Sequence, residues 1–195
     1  MNPVITAVNK ITSTDTEKIF PRSGRNLKPM RFIHDLDKLA IAAIGITLED
    51  AMIPFPVGNS DISLYIGIDD SIEDIKNDYF RSIIAEGILG ASPLLFPLTT
   101  PNALAAQASI LFDIRGESIT FSLNHSFSKV LEYVAVSLAG GYTKMAIAGN
   151  ITKDKSLSGP QSSIYRAEFF FIETITNAKN RGARIHYYNL GDAAL

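Results

Sequence analysis

The chain has 195 residues, of which 46% are hydrophobic and 19% charged, with a formal net charge of −2. That balance excludes a disordered tail, which needs low hydrophobicity and high net charge, and it gives no global field for nucleic acid or an anionic membrane. There is no cysteine, and the histidines are His34, His125 and His186, so a disulfide, a thiolate metal site and a cysteine nucleophile are excluded and no metal or other cofactor is expected.

In chain order, partial alternation over residues 4–11 predicts a strand, and the polar stretch 13–28 predicts a loop. Leu36, Leu39, Ala40, Ala43, Ile44 and Leu48 recur at helical spacing and predict a helix over 34–52. Asp35 and Asp37 suit its first turn, where the helix dipole favours negative charge, and His34 is placed to cap it. The apolar run 62–68, bounded by Asp61 and Asp69, predicts a buried strand. Residues 70–90 read as partly helical, with an apolar face through Ile72, Ile75, Tyr79, Ile83 and Ile84. The uncharged stretch 87–112 is long enough to span a bilayer, but Pro93, Pro97 and Pro101 break any helix there. It reads instead as a buried loop followed by a core helix over 102–112, with small residues at Ala103, Ala105, Ala106, Ala108 and Ser109.

After a turn at Arg115-Gly116, residues 117–123 alternate as a strand, with Ile119, Phe121 and Leu123 on one face. A helix over 127–138 stops at Gly140-Gly141. Strands are expected over 144–149 and 167–172, a helix over 174–180 capped by Arg181-Gly182, and a last strand over 184–189. Alternating strands and helices imply an α/β domain over 1–195, a mixed sheet covered by helices on both faces. The first ten residues lack a basic segment followed by a long apolar one, so no signal peptide is expected and a cytoplasmic protein is the default.

Few residues carry candidate chemistry. His125 beside Ser126 and Ser128 suggests a serine–histidine pair, but sequence neighbours at a helix start point in different directions and no acid is placed to orient the ring. Asp69, Asp70, Glu73 and Asp74 lack the glycine spacing of a calcium loop and suit a helix N-terminus better. Gly140-Gly141 lacks the Lys-Ser/Thr of a phosphate loop. Arg22, Arg25, Lys28 and Arg31 form a loose basic group that reads as solvated charge, with an acidic carrier protein as the other reading. His186, beside Tyr187 and Tyr188, fits an interface.

The ordered segments resemble the N-terminal half of a β-ketoacyl synthase, a condensing enzyme of the thiolase fold. ArgPheIleHisAspLeuAspLysLeuAlaIleAlaAla at 31–43 with LeuGluAspAla at 48–51 is similar to the family's first long helix. SerProLeuLeuPheProLeuThrThrProAsnAlaLeuAlaAlaGln at 92–107 resembles the loop and helix before the nucleophile, and GlyGluSerIleThrPhe at 116–121 the strand leading to it. MetAlaIleAlaGlyAsn at 145–150 resembles the strand after the nucleophile's helix, and residues 169–185 the segment closing that half.

The resemblance places Asn124 or His125 where the family carries its catalytic cysteine, and neither forms an acyl thioester. The family's two catalytic histidines lie in the other half, so the resemblance implies no catalytic residue here. It implies instead a chain-length-factor-like subunit, of the kind found in aryl polyene, polyketide or fatty-acid-like biosynthesis. Such a subunit pairs with a full-length β-ketoacyl synthase and possesses no metal. The pairing strand would be Ser118, Ile119, Thr120, Phe121, Ser122 and Leu123. Leu95, Phe96, Leu98 and Thr99, with Phe121 and Phe127, would shape the partner's acyl tunnel. Two other readings stand beside it: a thioesterase or acyltransferase using Ser126 or Ser128 with His125, and a homodimeric acyl-binding protein.

Overall fold

The structure, a computed structural model, describes residues 2–16, 34–59, 61–122, 127–156 and 163–190. Its elements are β1 (Pro3–Thr12), α1 (Asp35–Asp50), β2 (Ile62–Ile68), α2 (Glu73–Glu86), α3 (Ala103–Phe112), β3 (Ser118–Ser122), α4 (Ser128–Ala139), β4 (Met145–Lys153), β5 (Tyr165–Thr174) and α5 (Ile175–Asn180), with short 3-10 turns at Asp70–Ile72, Gly87–Gly90 and Phe96–Thr99. The five strands form one mixed sheet in the order β1-β5-β4-β2-β3. β4, β2 and β3 run parallel, and β5 pairs antiparallel with both β4 and β1.

The two faces carry separate cores. On one, α1 and α3 pack with Ile62, Leu64, Ile66, Phe169 and Phe171. On the other, Val130, Leu131, Val134 and Leu138 of α4 pack with Tyr65, Ala146, Ala148, Phe170 and Ile172. The alternation of partners along β4 and β5 follows from the two-residue period of a strand. β2 is buried at every residue, as expected of a parallel strand covered on both sides.

α1 begins as its sequence implies. The His34 ring Nδ1 accepts the Leu36 N–H at 3.2 Å, and the Asp37 carboxylate accepts the His34 N–H at 3.1 Å. His34 is thus a cap. Burial raises the Asp37 carboxyl above the usual aspartate range, against the lowering effect of that hydrogen bond.

Four expectations need correction. β4 and β5 are longer than their apolar runs, because Thr152 pairs with Arg166 and Lys153 with Tyr165, and a ladder needs backbone groups rather than apolar side chains. Residues 184–189 do not form a strand. Only Ile5 and Tyr187 make a bridge, with Ile5 N–H donating to the Tyr187 carbonyl at 3.0 Å. The register of β1 against β5 shifts between Ile5 and Ala7, next to that bridge, and the β1–β5 ladder then continues to Thr12. The apolar stripe expected over 70–90 is only partly buried: Ile72 and Ile75 are buried, while Ile84 is 84% exposed. Finally, the loop expected to be buried ahead of α3 is largely exposed, with Ile88 and Leu89 almost fully in solvent and Leu98 buried, because the prolines and 3-10 turns hold it on the outside of the α1/α3 core.

The acids 69–74 serve the fold. Asp74 accepts hydrogen bonds from Lys153 Nζ at 2.9 Å, Ser163 Oγ at 2.6 Å and Tyr165 Oη at 2.5 Å, tying α2 to the β4–β5 hairpin. Asp70 pairs with Lys155, and Glu73 with Lys76. Among the described residues no group of three potential ligands is arranged to hold a metal ion. Burial pushes the Asp74 carboxyl up, but the bonds from Ser163, Tyr165 and Lys153 outweigh it and bring it down to about 2. An acid lowered on folding stabilises the fold fully above its unfolded value of 3.8 and loses that contribution as pH falls towards 2. Urea midpoints measured across that window are expected to fall less steeply in Asp74→Asn than in the wild type. Equal slopes would remove Asp74 from the acid response.

Candidate functional site: an open strand edge

β3 is the last strand of the sheet and is held firmly on its inner side. Gly116 enters it so close to β2 that a Cβ would lie 2.2 Å from the Ile62 carbonyl oxygen, which demands glycine. Glu117 N–H donates to Ser63 Oγ at 3.1 Å, and its carboxylate accepts from Tyr65 Oη at 2.7 Å. Tyr65 Oη also meets Ser137 Oγ of α4 at 2.9 Å, and burial with the Glu117 contact pushes its hydroxyl up to about 12. The strand start is thereby fixed to β2 and α4 at once.

The register decides what the outer side offers. Leu64 lies opposite Ser118, and Leu64 N–H donates to the Glu117 carbonyl at 2.8 Å. In a parallel ladder that turns the backbone groups of Ile119 and Phe121 towards β2, and those of Ser118, Thr120 and Ser122 away from it. Among the described residues no strand pairs with that outer side. Ile119 and Phe121 pack against the α4 core, Phe121 with its ring 5.4 Å from Tyr133. Ser118 faces α3, its Oγ 3.4 Å from Ser109 Oγ. The adjacent Ile110 is 82% exposed.

The six residues expected to shape an acyl tunnel fall into two groups. Leu98 is buried in the α1/α3 core, while Leu95 and Phe96 are exposed on the turn before α3, Phe96 with its ring 5.9 Å from Tyr79. Thr99 ends that turn, its hydroxyl donating to the Phe96 carbonyl at 2.7 Å. Phe121 and Phe127 belong to the opposite face, Phe127 stacked on Phe170 at 5.5 Å. Leu123, Asn124, His125 and Ser126, the positions around the expected nucleophile, lie outside the described residues, as do Arg22, Arg25, Lys28 and Arg31. His186 has an exposed side chain, and its backbone N–H donates to the Ile5 carbonyl at 2.8 Å. Sequence reasoning missed the Thr6–Glu173–Arg181 cluster on the far edge, described below. Its members are 167 and 8 residues apart in the chain, a separation that no local pattern reports.

No known protein-family pattern matches the chain, and no curated protein matches it. Solved structures do. The chain is similar to the ishigamide ketosynthase/chain length factor with a TM-score of 0.71 at 16% identity, covering 95% of this chain and 61% of that one. A type II polyketide synthase acyl-carrier protein in complex with its ketosynthase bound to the hexaketide gives 0.66 at 19% identity, covering 94% and 65%. A β-ketoacyl synthase from Burkholderia phymatum gives 0.66 at 16% identity, covering 95% and 62%. The fold is therefore that of the ketosynthases, and the chain spans less than two thirds of the length of these neighbours. No helix among the described residues is long and apolar enough to cross a membrane.

Proposed function

We propose that this chain, which folds as part of a ketosynthase, is a non-catalytic ketosynthase-like subunit that pairs with a full-length β-ketoacyl synthase through β3. The observation that carries the reading is the outer side of that strand. Ser118, Thr120 and Ser122 turn their backbone donors and acceptors outward, and no described strand satisfies them. An open edge beside exposed apolar side chains is a template for another strand, and a soluble protein has to cover it. The absence of cysteine supports the non-catalytic half of the proposal, since acyl transfer through a thioester requires a thiolate. In this reading residues 1–195 act as one unit, and the partner holds the reactive groups.

Co-expression with a ketosynthase of the same organism tests this. The expected result is a stable one-to-one complex by light scattering, while the chain alone self-associates or aggregates. Thr120→Pro is the sharp variant. Its N–H points away from β2, so proline removes an outward donor without breaking the internal ladder. The expected outcome is a normal melting temperature with complex formation weakened at least about tenfold, the equivalent of about 1.4 kcal/mol. A monodisperse monomer indifferent to the ketosynthase, or a Thr120→Pro chain that pairs like the wild type, overturns the reading.

The exposed Leu95 and Phe96 supply the tunnel-shaping part of the proposal. A bulky side chain at the end of an acyl tunnel limits chain length because a longer chain would clash with a packed wall. Phe96→Ala, assayed in the reconstituted pair by mass spectrometry, is expected to shift products to longer chains. An unchanged product distribution removes Phe96 from that role and leaves the pairing intact.

A further inference from the structure

We infer that Glu117, one residue ahead of β3, is a preorganised receptor for a cationic side chain, an arginine by its geometry, that the partner's added strand brings opposite it. The contact makes Glu117 a residue that selects the partner, and it rests on the pairing proposed above. The carboxylate is exposed but held in place. Tyr65 Oη donates to its Oε2 at 2.7 Å, and Tyr133 Oη to its Oε1 at 3.4 Å. Two phenols on two different elements thus fix the carboxylate, and its remaining lone pairs stay open, since a carboxylate has about four acceptor positions.

The surroundings are aromatic. The Tyr133 ring lies 5.4 Å from Phe121 and 5.5 Å from Tyr65. Tyr142 is 81% exposed, and its ring lies against the end of α4, where a Cβ on Gly140 would come within 2.6 Å of it. The faces of such rings attract cations. A guanidinium uses both features, since its plane stacks on a ring while its N–H groups meet a carboxylate. A carboxylate already fixed by its neighbours loses little entropy when the cation docks.

Two observations select the occupant. The first is unmatched charge. Acids at the same end of the sheet have cations of their own: Asp113 holds Arg115 at 2.8 Å, and Asp61 holds Lys144 at 3.1 Å. Among the described residues no basic side chain pairs with Glu117, whose contacts are the two phenols. Covering an acid with a partner that brings no counter-charge is strongly unfavourable, so the partner has to supply one. The second is placement. Glu117 lies on the α4 face of the sheet, as do Ile119 and Phe121. A strand added outside β3 and reaching this level puts a side chain on that face opposite Glu117, where opposite charges attract and like charges repel. A basic residue there is accepted, while an acidic or apolar one is penalised by the charge left unpaired.

The test measures the affinity of the co-expressed ketosynthase for the wild type, Glu117→Gln, Glu117→Lys and Thr120→Pro, each at about 50 and about 300 mM sodium chloride. Glutamine keeps an oxygen for Tyr65 Oη and removes only the charge, so its melting temperature is expected to stay unchanged. The expected result at low salt is a dissociation constant raised at least about fivefold by Glu117→Gln and further by Glu117→Lys, with both losses shrinking at high salt. Glu117→Gln within twofold of wild type, with Thr120→Pro still weak, overturns the receptor and spares the strand pairing. A lysine variant that binds no worse than the glutamine variant, or losses equal at both salts, also overturns it, because no cation then faces residue 117. A wild type that does not bind overturns both readings. Should Glu117→Gln lower the melting temperature, Tyr142→Ala decides instead: its ring is mostly in solvent, and binding is expected to weaken at least about threefold, with unchanged affinity overturning the receptor. Self-association of the isolated chain that Glu117→Gln abolishes, with ketosynthase affinity intact, assigns the contact to a second copy and overturns it as well.

Discussion

Replacing Arg181 with methionine is expected to lower the unfolding free energy by about 3–5 kcal/mol, the cost of leaving one member of a buried ion pair alone. The Glu173 carboxylate is completely buried on β5. Arg181 meets it through Nη2 at 2.5 Å and Nε at 2.9 Å, and Thr6 Oγ1 donates to it at 2.7 Å. The same guanidinium donates to the Ala51 carbonyl at 2.5 Å and lies 5.4 Å over the Phe171 ring. One side chain thus joins β1, β5 and the end of α1. With arginine gone, the carboxylate remains in a dry site without its counter-charge, which costs more than the pair contributes. The double variant Arg181→Met with Glu173→Leu is therefore expected to recover most of the loss, because well-packed apolar replacements of buried pairs are often neutral. Denaturant melts decide it: a loss below about 1 kcal/mol for Arg181→Met would show that water reaches Glu173.

Phe170→Ala is expected to cost about 3–5 kcal/mol, the range for truncating a buried aromatic. The ring is 1% exposed in the α4 core and stacks on Phe127, just before the first residue of α4. Its removal leaves a cavity under the start of the helix that backs β3. Phe127→Ala is expected to cost less, since Phe127 is only partly buried. A double-mutant cycle should give a coupling of about 0.5–1.5 kcal/mol for the ring pair. Additive losses would mean that the two rings do not act together.

Much of this architecture was legible from local pattern. The run 62–68 and the helical spacing from Leu36 to Leu48 define β2 and α1 almost to the residue, because each carries its own period and its own punctuation. The His34 cap was equally readable, since the donors it satisfies lie within three residues. The last strand failed because an apolar and aromatic run does not report whether a neighbour pairs along its length: residues 184–189 meet β1 at the single Ile5–Tyr187 bridge, beside the register shift of β1.

The candidate site divides along the same line. The sequence by itself determined that the chain carries no thiol and that a strand covers 118–122, within the alternating run 117–123. The tertiary structure alone decided that this strand ends the sheet, that Ser118, Thr120 and Ser122 turn outward, and that Ile84, Ile88 and Leu89 face solvent rather than the core. The physical reason is that a side-chain period names an apolar face and not what covers it. Strand order and helix coverage come from contacts between segments far apart in the chain, where local spacing carries no information.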